Sequence, residues 1–461
     1  MPWTPTEGAH DPVDAPGLGV APRASSAPGA IVIGGDYQGL GVVRSLGRRG
    51  IRVLVLDDRW SISRHSRYAS GFVRVRDLRA EESTIGVLRE LAESGLCDGW
   101  VVFPTREETV AALARHRHLL APLRIPTPGW EVARWAHDKR NTYEIAGQLG
   151  IPVPRFWRLG DPGDLSKVDG DPPYVIKPAI KERFMYETGA KAWRADTRPQ
   201  LAERVRAAAS LIGIEEVIVQ ELIPGGGEAQ LAYCAFFKQD AARASMVVQR
   251  LRQHPQLFGR ASTFVRTAHQ PELEALSERL LRAIGYYGLV EVEYKRDPRD
   301  GAVKLLDVNA RTWGYHSLGQ RAGVDFPYLL WADQQGLSLP DVRSAPPGVT
   351  WVRLATDVPS AALALARGAL PWRDYLGSVR RADTEAVLCA DDPAPWFAEL
   401  AVLPCTAAAE LCARRLGLRA ARACRPRSAP PRAAWRGCVA EAALSAPGPH
   451  PGRRRPSAPG P

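Results

Sequence analysis

The fold of this chain is decided by two β-type runs and the turn between them: Gly288-Leu-Val-Glu291-Val-Glu293-Tyr, then Asp297-Pro-Arg-Asp-Gly301, then Val303-Lys-Leu-Leu-Asp307-Val-Asn309-Ala-Arg311. The Pro/Gly turn predicts an antiparallel hairpin. Side chains two apart on a strand share a face, so Glu291 and Glu293 point to the same side of the sheet, and so do Asp307 and Asn309. The hairpin therefore presents carboxylates and an amide on one side of a sheet, and a guanidinium follows at Arg311.

This acidic face has two interpretations. Mg²⁺ prefers oxygen ligands and is usually held by one or two carboxylates together with substrate phosphates. Charged side chains are also the ordinary covering of a solvated surface. On the hairpin residues alone, a metal site and a solvated face are equally supported.

Size and composition are typical of a globular protein. The chain has 461 residues, 45% hydrophobic and 24% charged, which predicts two to four domains. No run approaches the roughly 18 apolar residues that a membrane helix needs. Residues 1–29 lack the basic start and apolar core of a signal peptide, and we predict a disordered extension there. Seven cysteines without CxxC spacing argue against a disulfide framework or a zinc site. We expect a cytoplasmic protein without membrane contact.

The net charge of +11 is concentrated at the carboxyl end. Residues 411–461 contain eleven arginines, nine prolines and one acid, Glu441, which leaves a net charge of only +1 for residues 1–410. Such a Pro/Arg/Ala-rich segment cannot bury enough apolar area to order itself, so we predict a disordered tail over 406–461. Because the rest of the chain is nearly neutral, nucleic acid is not the expected partner. Cys405, Cys412, Cys424 and Cys438 have no metal-like spacing.

The first folded region is predicted to be an α/β domain over residues 30–125. Strand Ala30-Ile-Val-Ile33 runs into Gly34-Gly-Asp-Tyr-Gln-Gly39-Leu-Gly41, a helix follows over 42–49, and a second strand covers 52–56. This order indicates a parallel sheet of Rossmann type. Its glycines also suit a dinucleotide, although the spacing is not GxGxxG. A dinucleotide-binding oxidoreductase is therefore kept as an alternative.

The second region contains a series of motifs whose order is informative. A helix is predicted over about 131–149 and includes Asp138-Lys139. Strand Tyr174-Val-Ile-Lys177-Pro178 ends in a lysine, and a polar, charged loop is predicted over 181–189. Strand 216–223 contains Gln220-Glu221-Leu222-Ile223, and Pro224-Gly-Gly-Gly227-Glu228 then turns the chain towards strand 230–237.

These motifs, with the hairpin, resemble those of the ATP-grasp superfamily of ATP-dependent carboxylate–amine ligases. The resemblance covers about residues 126–335, and the domain before it is similar to the pre-ATP-grasp domain of such ligases. It implies a two-lobed ATP-grasp domain over 126–340 after the Rossmann-like domain. A small C-terminal α/β region is predicted for 341–405, with a strand over 349–357 and a helix starting near 370.

The resemblance also implies roles for individual residues. Lys139 and Lys177 would neutralise ATP phosphates, since lysine acts as a point charge. Residues Gln220 to Ile223 would form the hinge that grips adenine, and Glu228 would bind the ribose. Glu291, Asp307 and Asn309 would hold Mg²⁺, for which Mn²⁺ is a substitute, and Arg311 would stabilise the transferring phosphoryl group.

Two departures from the family pattern matter. The family usually has Glu where Asp307 stands, and its phosphate-covering loop is normally rich in glycine. Here the segment 178–189 is bulky and charged. Either Lys181, Arg183 or Lys191 replaces backbone amides at the phosphates, or the loop is a mobile lid, and we favour a lid that makes cationic contacts.

The acceptor site is assigned from charge alone. The donor-rich segment 250–263 makes Arg252 and Arg260 candidates for binding a carboxylate substrate, because arginine forks bind carboxylates bidentately. A solvated loop with incidental arginines is the competing interpretation. His316 is equally consistent with a substrate contact and with a packed side chain.

The leading hypothesis is an ATP- and Mg²⁺-dependent ligase. It activates a carboxylate, such as that of an amino acid, as an acylphosphate for attack by an amine. The expected partners are these small molecules, and a homodimer is left open. The alternatives are the oxidoreductase and a non-catalytic nucleotide-binding or nucleic-acid-interacting protein that relies on its basic tail.

Overall fold

Three sheets organise the computed structural model, which describes residues 28–256, 258–340 and 343–403. They are a parallel sheet and an antiparallel sheet of four strands each, and an eight-stranded sheet. The mixed α/β fold with a Rossmann-like first domain is therefore confirmed. The predicted disordered segments 1–29 and 406–461, with the four last cysteines, lie almost wholly outside the described residues, and the domain boundaries stay predictions.

The first sheet is parallel, with strand order β3-β2-β1-β4. Its strands β1, β2 and β4 are buried along their whole length, as expected where helices cover both faces of a parallel sheet. The elements are β1 (Ala30–Ile33), α1 (Tyr37–Gly47), β2 (Val53–Asp57), β3 (Gly71–Arg74), α2 (Glu81–Glu93), β4 (Val101–Pro104) and α3 (Glu107–His116).

The glycines after β1 are required by packing within this domain. A Cβ on Gly35 would lie 2.3 Å from Ser61 Oγ, and one on Gly39 would lie 2.1 Å from Gly34 O. Gly34 itself has φ +93°, a conformation that glycine adopts without strain. The glycine turn is thus explained without a dinucleotide.

The single helix predicted over 131–149 is wrong, because the structure has two helices there: α4 (Trp130–His137) and α5 (Lys139–Gln148). Asp138 separates them in an extended conformation, with φ −111° and ψ 116°. Its side chain accepts a hydrogen bond from Arg140 N at 2.9 Å, so it caps the second helix. The break makes Lys139 the first residue of α5.

The antiparallel four-stranded sheet, with order β5-β8-β6-β7, forms a subdomain that we call the lid. Its elements are β5 (Phe156–Arg158), β6 (Tyr174–Pro178), α6 (Lys181–Thr188), β7 (Trp193–Ala195), α7 (Arg198–Ile212) and β8 (Val217–Glu221). The loop predicted over 181–189 is wrong, since most of it is helix α6. Phe184 anchors that helix with its ring 4.8 Å from that of Trp193, and Gly189 ends it at φ +70°.

The eight-stranded sheet has the order β13-β12-β9-β10-β11-β15-β16, with β14 paired to β10. Its first elements are β9 (Gln230–Lys238), β10 (Ala241–His254), β11 (Ala261–Ala268), α8 (Pro271–Ala283), β12 (Gly288–Arg296), β13 (Val303–Asn309), α9 (Ser317–Arg321) and α10 (Phe326–Gln334). Strands β12 and β13 pair antiparallel at the sheet edge. The hairpin predicted over residues 288–311 is therefore confirmed.

The last described segment extends this sheet. It comprises β14 (Arg343–Ser344), β15 (Thr350–Val352), α11 (Leu354–Ala366), α12 (Trp372–Arg380) and β16 (Thr384–Glu385). The strand predicted over 349–357 is too long, because α11 begins at Leu354. Since β15 pairs with β11, this segment continues the central sheet.

The first domain and the central sheet share one hydrophobic cluster. Leu40 and Val43 of α1 pack in it together with Phe236 of β9 and Trp313. A buried ion pair, Arg44 Nε to Asp392 Oδ2 at 2.9 Å, ties the last segment to the same helix. Within the described ranges, no helix combines the length and apolar character required to cross a membrane.

Candidate nucleotide and metal site

The hairpin brings four oxygen-bearing side chains onto one face, as predicted. Glu291 lies opposite Asn309 in the strand register, and Glu293 lies opposite Asp307. The Asn309 amide nitrogen donates to Glu291 Oε2 at 2.9 Å and to Glu293 Oε1 at 2.8 Å. Because these donations fix the amide, the Asn309 Oδ1 atom is turned towards cations.

Cations from other elements neutralise this face, so it is not a solvated acidic surface. Lys139 Nζ lies 3.0 Å from Asp307 Oδ1, and a guanidinium nitrogen of Arg250 lies 3.4 Å from Glu293 Oε2. Burial would raise the pKa of Asp307, but Lys139 and then Lys181 hold it well below its ordinary value. Both carboxylates therefore stay ionised.

Glu293 belongs to the site as well, although the predicted metal ligands were Glu291, Asp307 and Asn309. Glu293 and Asp307 line a cavity of about 140 Å³. Burial opposes ionisation of Glu293, yet Lys191 and Arg250 hold its pKa at about 2. Its signal was present in the sequence, since it shares a strand face with Glu291.

Glu291 lies deeper and is held by neighbours. Its Oε1 accepts from the Tyr315 hydroxyl and its Oε2 from Asn309. Burial, and next the charge of Glu293, raise the pKa of Glu291 to about 7. Among the two glutamates of β12, Glu293 is thus the one that presents a charged, cavity-facing carboxylate.

Five lysines line the same cavity: Lys139, Lys177, Lys181, Lys191 and Lys295. Lys139 comes from the start of α5, Lys177 from β6 and Lys181 from the start of α6. Lys177 Nζ donates to the Tyr143 hydroxyl, and burial, followed by repulsion from Lys139, lowers the pKa of Lys177 to about 7. The structure therefore gathers the predicted phosphate lysines, whereas Arg183 is exposed on α6.

The predicted hinge lies beside this lysine cavity. Glu221, Leu222 and Ile223 line a neighbouring cavity of about 540 Å³, together with the aromatic side chains of Trp157 and Phe258. The two cavities share Leu222, Ile223 and Phe258, so they adjoin. A ligand that places a flat apolar group at the hinge would therefore place its next part beside the lysines.

Side chains of the hinge are occupied, and so are some of its backbone groups, since Leu222 N donates to Pro173 O at 3.2 Å and Ile223 O accepts from Lys295 Nζ at 2.9 Å. The Glu221 carboxylate accepts from Lys304 Nζ at 3.0 Å and from Arg299 at 2.7 Å. Gln220 Oε1 accepts from the Tyr143 hydroxyl at 3.1 Å. Glu228 is exposed beyond the turn, where its Oε1 accepts from Gly226 N at 2.9 Å.

Of the predicted arginines, the structure brings only Arg311 to the hairpin face. One of its guanidinium nitrogens lies 3.4 Å from Asn309 Oδ1. Arg252 instead forms a bidentate pair with Asp357, with both distances at 2.8 Å, so its fork is already filled. Arg260 is exposed and lies immediately before strand β11.

His316 is a packed side chain. It is 2% exposed, and its Nε2 lies 2.8 Å from Gln38 O of α1. A Cβ on Gly41 would lie 2.6 Å from its ring, which shows how closely α1 approaches. Burial lowers the pKa of His316, so it is neutral at physiological pH.

No residue of the first domain was predicted from the sequence to belong to this site. Glu107, the first residue of α3, is 7% exposed and accepts from Lys181 Nζ at 3.0 Å. Its Oε1 also lies 2.6 Å from Arg311 Nε. No sequence motif indicates this contact, because it joins residues about 200 positions apart in the chain.

The donor set fits Mg²⁺ bound with a polyphosphate. Over the part of the chain that the structure describes, no three His, Cys, Asp or Glu side chains form a metal cage by themselves. Glu293, Asp307 and Asn309 offer oxygens of the type that Mg²⁺ takes, and Mg²⁺ sites of this kind are completed by phosphate oxygens and water. The lysines beside them suit the same phosphates.

Comparison with known proteins identifies the class of fold. The family model described as "ATP-grasp in the biosynthetic pathway with Ter operon" matches residues 233–356. No curated protein sequence matches the chain. The predicted resemblance to the ATP-grasp superfamily is therefore confirmed over residues 233–356.

Solved structures agree with this assignment. An N5-carboxyaminoimidazole synthetase from Staphylococcus aureus, complexed with ADP, has a TM-score of 0.56 at 16% identity, covering 76% of this chain and 87% of that one. An L-amino acid ligase from Bacillus licheniformis gives a TM-score of 0.53 at 17% identity, with coverages of 67% and 74%. A biotin carboxylase from Campylobacter jejuni gives 0.54 at 16% identity, with coverages of 68% and 72%.

Proposed function

We propose that this protein is an ATP- and Mg²⁺-dependent ligase that joins a carboxylate to an amine and releases ADP and phosphate. The observation that carries the proposal is the continuity of the cleft, in which the hinge cavity adjoins a second cavity lined by lysines, Glu293 and Asp307, with Asn309 hydrogen bonded to Glu293 beside it. The hinge cavity suits a base, the lysines suit a polyphosphate, and the carboxylate and amide oxygens suit a divalent cation.

ATP would lie along this cleft. Adenine is held by backbone groups of Glu221 to Ile223 between apolar and aromatic side chains, and Glu228 reaches the ribose. Lys139, Lys177, Lys181 and Lys191 neutralise the phosphates, where an ammonium acts as a point charge. The ADP in the Staphylococcus aureus synthetase supports a nucleotide in a cleft of this fold.

The metal would be held by Glu293, Asp307 and Asn309, with Glu291 behind them. When bound, Mg²⁺ neutralises phosphate charge and orients the γ-phosphoryl group. Asp307 is shorter than the glutamate usual in the family, and in this structure Lys139 lies at its oxygen. Release of Lys139 to the phosphates would free that carboxylate for the metal.

The reaction proceeds in two displacements. A substrate carboxylate oxygen attacks the γ-phosphorus of ATP, so a carboxyl–phosphate bond forms as the bond to ADP breaks. The amine nitrogen then attacks the acyl carbon, the phosphate leaves, and the nitrogen loses its proton. Arg311 stabilises charge on the transferring phosphoryl group, and no protein nucleophile is needed.

The carboxylate-binding role of Arg252 and Arg260 stays a prediction. Arg252 has its fork filled by Asp357, so it would bind substrate only after leaving that carboxylate. Arg260 is exposed and has freedom to approach a substrate.

A pairwise screen tests the proposed function. Amino acids and other carboxylates are combined with amines, Mg²⁺ and ATP, and the released phosphate and ADP are measured. We expect release to require one acid–amine pair and to be lost in Lys177→Met. The matched control is Lys167→Met, since that lysine is 75% exposed on the lid surface. AMP and pyrophosphate as products would contradict an acylphosphate route.

A further inference from the structure

Glu107 lies after strand β4 of the first domain, at the carboxyl end of its parallel sheet. The connection after β1 runs to β2 on one side, whereas β4 lies on the other side of β1. In open α/β sheets, ligands bind in the crevice at the carboxyl ends of the strands where the order reverses. Glu107 comes shortly after β4, at this crevice. Its side chain points across the crevice to Arg311, which follows β13 of the central sheet.

One oxygen of Glu107 holds two cations of the proposed site. Its Oε1 lies 2.6 Å from Arg311 Nε and 3.0 Å from Lys181 Nζ. Both cations also reach Asn309 Oδ1, Lys181 at 2.9 Å and Arg311 at 3.4 Å. The carboxylate thus fixes a guanidinium and an ammonium on the oxygen that we assign to the metal.

The environment of this carboxylate favours its ionised form. Burial raises the pKa of Glu107, but Lys181 and then Arg311 lower it below its ordinary value. Charge-assisted bonds of this length are stronger than neutral ones. Besides Glu107, Arg311 donates to Thr312 O and to Asn309 Oδ1, which both lie within two residues of it in the chain, so Glu107 is the contact that reaches Arg311 from the first domain.

The neighbouring residue Glu108 provides an internal comparison. It also lies in the first turn of α3 and also meets α6, because it accepts from the Tyr186 hydroxyl. Arg79 of the first domain stacks on the Tyr186 ring at 3.8 Å. Glu108 and Tyr186 therefore dock the lid on the first domain without touching Arg311.

We infer that Glu107 is a positioning residue for the phosphoryl transfer, through which the first domain orients Arg311 and Lys181. This inference rests on the proposed function. It assigns to the N-terminal domain a part in aligning the transferring group, in addition to any part in substrate binding. Docking of the lid alone does not require Glu107, since Glu108 and Arg79 supply it.

Binding of ADP with and without aluminium fluoride tests the inference without knowledge of the substrates. The fluoride complex imitates the transferring phosphoryl group, and such analogues bind more tightly than ground-state ligands. Affinities for Mg·ADP and for Mg·ADP·aluminium fluoride are measured by calorimetry in wild type, Glu107→Gln and the control Glu108→Gln. Thermal unfolding checks that each variant is folded.

We expect Glu107→Gln to lose about tenfold or more of the affinity gained from aluminium fluoride, with ADP affinity changed less than about threefold. Glu108→Gln should keep the gain. If Glu107→Gln does not fold, Glu107→Asp replaces it, because the shorter side chain keeps the charge but withdraws it from Arg311.

Three outcomes separate the inference from the proposed function. Equal gains in wild type and Glu107→Gln overturn the inference and leave the function standing. Equal losses in both glutamate variants also overturn it, since they reduce Glu107 to a docking contact. A wild type that binds no ADP overturns the proposed function itself.

Discussion

At the scale of single residues, Lys177 has an unusual charge state for a lysine. Burial first, and then Lys139, lower its pKa to about 7. Above that pH the amine is largely neutral, and below it the amine is charged. A bound polyphosphate favours the charged form, so nucleotide binding at higher pH must be accompanied by proton uptake.

We predict that ADP affinity rises as the pH falls from about 8.5 to about 6.5, and that binding at the higher pH takes up a proton. Calorimetry in buffers of different ionisation enthalpy measures this uptake. Lys177→Met should lose the uptake and bind ADP about tenfold more weakly at the lower pH. Proton uptake that persists in the variant would assign it to another group.

The two glutamates of β12 also differ from each other in pKa. Glu293 lines the lysine cavity and its pKa is held at about 2, whereas Glu291 is not part of that lining and burial raises its pKa to about 7. We predict that Glu293→Gln weakens Mn²⁺ binding in the presence of ADP by about tenfold or more, and Glu291→Gln by less. Electron paramagnetic resonance of Mn²⁺ measures both, and the reverse order would return the metal to Glu291.

At the scale of elements, the break between α4 and α5 places a phosphate lysine. Asp138 caps α5 through Arg140 N, and Lys139 follows as the first helical residue, 3.0 Å from Asp307. The cap therefore sets the position of Lys139 as well as the stability of the helix.

We predict that Asp138→Ala lowers the free energy of unfolding by about 1 kcal/mol, the usual cost of a lost cap. It should also weaken ADP binding, because Lys139 loses its fixed position. Asp138→Asn is the matched control, since its amide oxygen still accepts from Arg140 N. Chemical denaturation and ADP titration measure the two effects, and equal behaviour of both variants would dismiss the cap.

At the scale of the whole molecule, Asp392 joins the last described segment to the first domain. It is 1% exposed, and it accepts from Arg44 Nε at 2.9 Å, from Ser66 Oγ at 2.6 Å and from Arg67 N at 2.9 Å. These bonds hold the two ends of the described chain together around α1.

We predict that Asp392→Asn lowers the free energy of unfolding by about 3 kcal/mol, because Arg44 is left as a buried, uncompensated charge. Asp391→Asn serves as the control, since Asp391 is 44% exposed and exposed pairs contribute at most about 1 kcal/mol. Denaturant titration measures both variants. A loss below about 1 kcal/mol for Asp392→Asn would mean that water reaches Arg44 there.

The sequence by itself determined the features that depend on short-range periodicity. Alternation along β12 and β13 put Glu291, Glu293, Asp307 and Asn309 on one face, and the register confirms it. The apolar runs of β1 and β2, with the glycine turn and helix between them, predicted the parallel sheet. The helix α6 was missed because its polar residues resemble a loop, and its one buried residue, Phe184, packs on Trp193 of a different element.

Only the tertiary structure decided which charges meet. Glu107, Lys181 and Arg311 lie on three separate elements, and their contacts arise when the first domain, the lid and the central sheet pack together. The same packing filled the fork of Arg252 with Asp357 and buried His316 against α1. Periodicity fixes the face on which a side chain lies, but ion pairs between distant residues depend on packing of whole elements, which no local pattern records.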